Sequence, residues 1–168
     1  SVFGLELEAV KTIFKSGDYD VNDYKVDLGF NASYLNSNVN LDDNSIAQFT
    51  SGTSQLEGAT PILINTDLSF NQKFEDSELT STVVFNYFSD RVYSIGTRGF
   101  ENIIEKGIPT LDFITNYKLG KHYSFKLKAT NLLNPSFQLS RGNNGSDNIV
   151  LSNYKKGVNV SLGVSYNF

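Results

Sequence analysis

The last twelve residues, Gly157-Val-Asn-Val-Ser-Leu-Gly-Val-Ser-Tyr-Asn-Phe168, constrain this chain more than any other stretch. From Val158 every second residue is apolar, ending in Tyr166 and Phe168, while Asn159, Ser161, Gly163, Ser165 and Asn167 fill the alternate positions. Successive side chains of a strand point to opposite sides, so this pattern predicts one β-strand with two chemically opposite faces. Its polar face carries no charge and its apolar face closes on two aromatics. A soluble domain rarely ends so, because terminal residues fray unless tied down. In a transmembrane β-barrel the apolar face meets lipid, the polar face meets the lumen, and aromatics lie at the interfaces.

Six further strands of the same kind precede it. Phe3, Leu5, Leu7 and Ala9 alternate with Gly4, Glu6 and Glu8, and the phase slips near Val10 and Lys11, which suggests a bulge or the end of the embedded part. A second strand runs from Tyr24 to Tyr34 after the turn cluster 16–23, and a third from Ile62 to Phe70, closed by a charged turn at Lys73-Phe-Glu-Asp-Ser77. The fourth covers Leu79 to Tyr93, with Val84 and Phe88 blurring its polar side. The fifth covers Leu111 to Leu119, and a two-residue turn at Gly120-Lys121 leads to the sixth, Tyr123 to Ala129. Connections alternate between short turns and long polar stretches, the latter at 36–60, 94–109 and 134–153. That alternation, with strands of about ten residues, is what outer-membrane barrels show.

A soluble sandwich or barrel has the same two-residue period with its apolar side inward. Strand length, tyrosines near strand ends (Tyr24, Tyr34, Tyr93, Tyr117, Tyr123, Tyr166) and a polar side rich in Asn, Ser, Thr and Gly argue against it. No run approaches the roughly 18 apolar residues of a membrane helix, so a membrane role requires a barrel. Cysteine is absent, which removes disulfides, thiolate metal sites and thiol nucleophiles. The net charge of -4, without a basic cluster, argues against a nucleic-acid partner.

Candidates for chemistry are few. His122 is the only histidine and sits in a turn beside Lys121. Glu6 and Glu8 are paired carboxylates on one strand face, spaced about 6 to 7 Å without any acid/base asymmetry, and read as lumen lining. Asp42, Asp43 and Asn44 offer oxygen ligands for calcium at a spacing that matches no calcium loop. Asn143-Asn-Gly-Ser-Asp147 reads as an exposed loop tip. Lys126, Lys128, Asn159 and Ser161 are the expected lumen-facing residues, the two lysines being able to pair with acidic groups inside the barrel. No catalytic, metal or cofactor site emerges, and the chain does not read as an enzyme.

Lys128-Ala-Thr-Asn-Leu-Leu-Asn-Pro135, followed some twenty residues later by Tyr154-Lys-Lys-Gly157 and the terminal strand to Phe168, resembles the carboxyl-terminal end of TonB-dependent outer-membrane receptors of the SusC-like branch. Gly58-Ala-Thr-Pro-Ile-Leu-Ile-Asn65 and Lys106-Gly-Ile-Pro-Thr-Leu-Asp112 resemble the same branch's barrel. The resemblance implies an all-β, antiparallel up-and-down transmembrane β-barrel of about 22 strands, of which residues 1–168 are the last seven or so. It also implies active uptake of a large ligand such as a glycan, peptide or siderophore. The implied partners are outer-membrane lipid, the rest of the barrel and its plug, the TonB complex, a SusD-like surface lipoprotein and the barrel-assembly machinery, which would read Tyr166 and Phe168 as its signal. The carboxyl terminus would then be periplasmic and the long loops extracellular, with the first strand entering from outside. The competing expectation is a small self-contained outer-membrane barrel of structural or adhesive role, which needs an eighth strand near Ser136 to Arg141.

Overall fold

The computed structural model describes residues 1–41, 48–142 and 148–168, so the proposed calcium ligands Asp42, Asp43 and Asn44 and the stretch 143–147 lie outside the described residues. Among the described residues there are thirteen strands and no helix. In chain order they are β1 (Val2–Lys15), β2 (Tyr24–Ser37), β3 (Val39–Asn40), β4 (Thr53–Ser54), β5 (Ile62–Lys73), β6 (Ser77–Phe88) and β7 (Arg91–Ser94). There follow β8 (Ile103–Glu105), β9 (Ile108–Leu119), β10 (Tyr123–Thr130), β11 (Ser136–Arg141), β12 (Ile149–Lys155) and β13 (Asn159–Tyr166).

The seven long alternating segments form one antiparallel sheet in meander order, β1-β2-β5-β6-β9-β10-β13. Each of these strands pairs with the next in the meander because alternation fixes which face is apolar, and a one-residue slip would invert it. The register carries that face across the sheet. Val26, Phe70, Ser81, Thr115, Leu127 and Leu162 stand opposite one another in turn, and one position along, Asp27, Ser69, Thr82, Ile114, Lys128 and Ser161 do the same on the other face. The sheet is open, with β1 and β13 as its edges.

In β1 the backbone irregularity falls between Thr12 and Phe14, a little after the phase change visible in the sequence. Val10 lies on the polar face and Lys11 on the apolar one, and a bulge at Ile13 then returns Phe14 to the apolar side, stacked on Tyr24 at 5.5 Å. Lys11 is the one charged side chain that the register puts on the apolar face of the described sheet; its long stem allows the ammonium to reach away from that face.

The long connections depart from the expectation of plain loops. The 36–60 connection contains the paired β3 and β4, and the other two supply a four-stranded sheet, β12-β11-β8-β7. Segments of two to seven residues are too short to show a period above the local polarity, which is why they are silent in the sequence. The stretch Leu79 to Tyr93 is two strands, since Ser89 and Asp90 end β6 and the chain crosses to the small sheet at Arg91. Tyr93 therefore leaves the set of tyrosines on the large sheet. Phe88, which blurred the alternation, pairs with Leu63 and Ile108 where the two sheets meet. There Ile108 and Val92 are the buried apolar residues, and the Arg91 guanidinium lies 5.1 Å from the Phe88 ring. Residues 136–141 do form a strand, but β11 pairs with β12 and β8 and adds nothing to the large sheet.

Candidate functional site

The polar face of the large sheet is cross-linked laterally. The Asn31 amide donates to Glu6 at 2.8 Å and the Thr12 hydroxyl to Asp27 at 2.6 Å, while Asp27 also pairs with Lys25 at 2.8 Å. Asn71 donates to Asp27 and accepts from Thr80, Ser69 bonds Thr82, and Ser124 donates to Asn116. Such rungs hold the side chains flat against the strands and make a largely polar surface, interrupted by Val10, Val84 and Ile114. Lys126 lies opposite Gly163, Lys128 opposite Ser161, and Thr130 opposite Asn159, so the four expected lumen residues share this face. Lys118 pairs with Glu78 at 3.0 Å, whereas Lys126 and Lys128 are exposed and form no ion pair among the described residues. Glu6 and Glu8 are exposed on the same face, and the hydrogen bond from Asn31 supplies Glu6 with no acid partner.

On the apolar face three hydroxyls bond within the sheet: Ser81 bonds Thr115 at 2.8 Å, and Thr66 donates to the Gly29 carbonyl at 2.8 Å. The aliphatic side chains of this face are not covered. Leu68 is 43% exposed, Leu162 75% and Val160 68%. Tyrosines bound this face at both ends, with Tyr24, Tyr117, Tyr123 and Tyr166 toward the short turns and Tyr34 and Tyr87 toward the long connections.

No family model, curated protein or solved structure matches this chain. The residues that carry the family resemblance nevertheless have a clear physical task. Asn131 and Asn134 adopt positive φ, 59° and 43°, in the turn after β10. The Asn131 amide donates to the Gly157 carbonyl at 2.6 Å, and the Gly157 N–H donates to the Asn134 side chain at 3.1 Å. Gly157 itself sits at φ 82°, where a β-carbon is penalised. The Asn131 N–H donates to Asp112 at 2.8 Å, tying the clasp to β9. It therefore joins the end of β10 to the residues leading into β13 across the long connection between them. Two asparagines three apart before a proline, with a glycine opening a later strand, are the signal that could have revealed it, since asparagine tolerates the left-handed region.

At the opposite end of β13 the chain is anchored by aromatics. Tyr166 stacks on His122 at 5.5 Å and packs against Tyr123 at 5.1 Å, and Phe168 meets its edge at 5.2 Å. The turn before β10 has three residues, Gly120-Lys121-His122, because Leu119 and Tyr123 are already paired. His122 Nδ1 lies 2.8 Å from the Asn167 carbonyl, and the Asn167 N–H donates to the His122 carbonyl at 2.8 Å. The histidine is exposed, as a turn residue should be, and it also pins the terminus. Pairing ends at Tyr166, opposite Tyr123, so Phe168 lies beyond the strand and is fully exposed. Among the described residues no group of three His, Cys, Asp or Glu side chains is placed to hold a metal.

Proposed function

We propose that the seven-stranded sheet is a stretch of wall in a transmembrane β-barrel of a bacterial outer membrane, and that the barrel is a TonB-dependent transporter of the SusC-like kind taking up a large ligand. The observation that carries the membrane reading is the spacing of the tyrosines around an uncovered apolar face. Tyr24 and Tyr34 lie ten residues apart on β2, which is about 34 Å along a strand and about 26 Å in height at a tilt near 40°. That equals the roughly 25 Å apolar band of such barrels. Hydroxyls that bond within the sheet suit a medium with no water to solvate them.

The transporter reading rests on the resemblance of the Asn-Leu-Leu-Asn-Pro element and the terminal strand, and on the openness of the sheet. Edges at β1 and β13 must be paired in lipid, and seven strands need an odd number more to reach the even count of bacterial barrels.

This sequence has no cysteine, so single cysteines placed in it can be spin-labelled once any cysteine elsewhere in the full-length protein has been replaced. In the full-length protein reconstituted in bilayers, labels at Leu28, Leu68, Leu127 and Leu162 should be accessible to oxygen and shielded from a polar nickel chelate. Labels at Thr82, Lys128 and Ser161 should show the reverse. Equal chelate access on both faces would refute the membrane wall. The transporter reading is tested separately by binding of the full-length protein to the purified periplasmic domain of TonB, and absence of binding would leave only a structural barrel.

A further inference from the structure

Three separate connections converge at the long-connection end of the fold. The Arg98 N–H donates to the Gln48 carbonyl at 3.2 Å, the Thr50 N–H to Gly96 at 2.9 Å, and the Thr50 hydroxyl to the Phe100 carbonyl at 2.6 Å. Phe49 and Thr97 form a β-bridge, and Asn102 caps the Gly96 N–H at 2.8 Å. These bonds fix the segment 96–100 beside the end of β11, where Arg141 lies opposite Ile103. The result is an open cavity of about 540 Å³ lined by Gln48, Thr97, Arg98, Phe100 and Arg141.

The chemistry of that lining is one-sided. Among the described residues it is lined by two arginines, a glutamine, a threonine and a phenylalanine, and by no aspartate or glutamate. The Arg141 guanidinium sits 5.0 Å from the centre of the Phe100 ring, which orients it. Its Nε–H is buried and has no hydrogen-bond partner among the described residues. A buried guanidinium N–H without an acceptor is costly, and native folds seldom leave one so. Elsewhere in the same lobe arginine is satisfied, since Arg91 bonds Glu105 at 2.8 Å through Nε and again through its terminal nitrogen.

We propose that this cavity binds a small ligand bearing an oxyanion, a carboxylate or a phosphoryl group, held between Arg98 and Arg141 with its body against the exposed face of Phe100. The planar fork of a guanidinium matches both groups bidentately, and the volume is of the size that small-molecule sites have. The site needs no assumption about which face of the sheet meets lipid, so it stands or falls independently of the function proposed above.

The test is isothermal titration calorimetry of the full-length protein in detergent with glucuronate, inorganic phosphate and, as a neutral control, glucose. Saturable binding of glucuronate or phosphate is expected, weakened by salt and reduced about tenfold or more in Arg98→Gln and in Arg141→Gln. The two anions tell the sources apart: tighter glucuronate identifies an acidic sugar-like ligand, and tighter phosphate a phosphorylated one. Arg141→Lys, which keeps the charge but loses the fork, should recover only part of the affinity. Unchanged far-ultraviolet circular dichroism spectra of the variants confirm that they fold. The proposal is overturned if neither anion binds, if glucose binds as tightly as both, or if folded Arg98→Gln and Arg141→Gln proteins bind undiminished.

Discussion

Replacing Leu127 by arginine asks directly what the apolar face touches. Leu127 lies between Thr115 and Leu162 on that face, four residues from Tyr123 at the turn end of β10. Four residues rise about 13 Å along a strand, or about 10 Å in height at a tilt near 40°. In the proposed wall, with Tyr123 at one interface of a band roughly 25 Å tall, Leu127 sits about 2.5 Å from the midplane, where an arginine costs about 2 to 4 kcal/mol. On a sheet face bathed in water the same change falls within about 0.5 kcal/mol. Lys126→Ser, one residue away on the polar face, is the control and should also stay within about 0.5 kcal/mol. The assay is urea unfolding of the full-length protein in bilayers, followed by loss of the heat-modified gel shift. A Leu127→Arg cost no larger than that of Lys126→Ser would refute the argument, as would a wild-type protein that is monomeric without detergent.

Asn131→Ala should destabilise by about 1 to 2 kcal/mol, since it removes the bond to Gly157 and leaves a side chain ill suited to positive φ; an unfolding midpoint equal to wild type would show the clasp to be dispensable. Deleting Phe168 should lower the amount of protein inserted into the outer membrane at unchanged synthesis, read from fractionated cells, and equal yields would remove it as an assembly signal. Partial burial works to raise the Asp90 carboxyl, but the Gly107 N–H and the Lys106 ammonium outweigh this and hold it below the ordinary carboxylate value. A carboxylate lowered in the folded state stabilises above its unfolded pKa and loses that contribution as pH falls through the folded one. Protease resistance of the 91–105 segment should therefore fall below about pH 4. The step should be small because the Asp90 side chain is half exposed, and a wild-type profile matching that of Asp90→Asn would refute it.

The large sheet was legible because its information is periodic. Val158 to Tyr166 or Tyr24 to Tyr34 repeat one choice often enough to outweigh single exceptions such as Phe88. The small sheet was not, because Ile103-Ile-Glu105 or Arg91-Val-Tyr-Ser94 offers too few residues to establish a phase, and their partners lie in other connections. The polar-face set Lys126, Lys128, Asn159 and Ser161 follows from alternation alone. The tasks of His122, Asn131 and Asn134 do not, since each depends on a partner 23 to 45 residues away in the chain. The Arg98 and Arg141 pair is hidden for the same reason, as its members come from different connections.

The four-stranded sheet at the long-connection end makes those connections heritable as a set. β8 is hydrogen-bonded to β7 within its own connection and to β11 from another, so an insertion that shifts 103–105 by one residue exchanges the faces of neighbouring strands in both. Surface loops of independent standing drift one at a time. Here a change of length in one demands a matching change in its neighbour, whereas a side-chain substitution leaves the shared register intact.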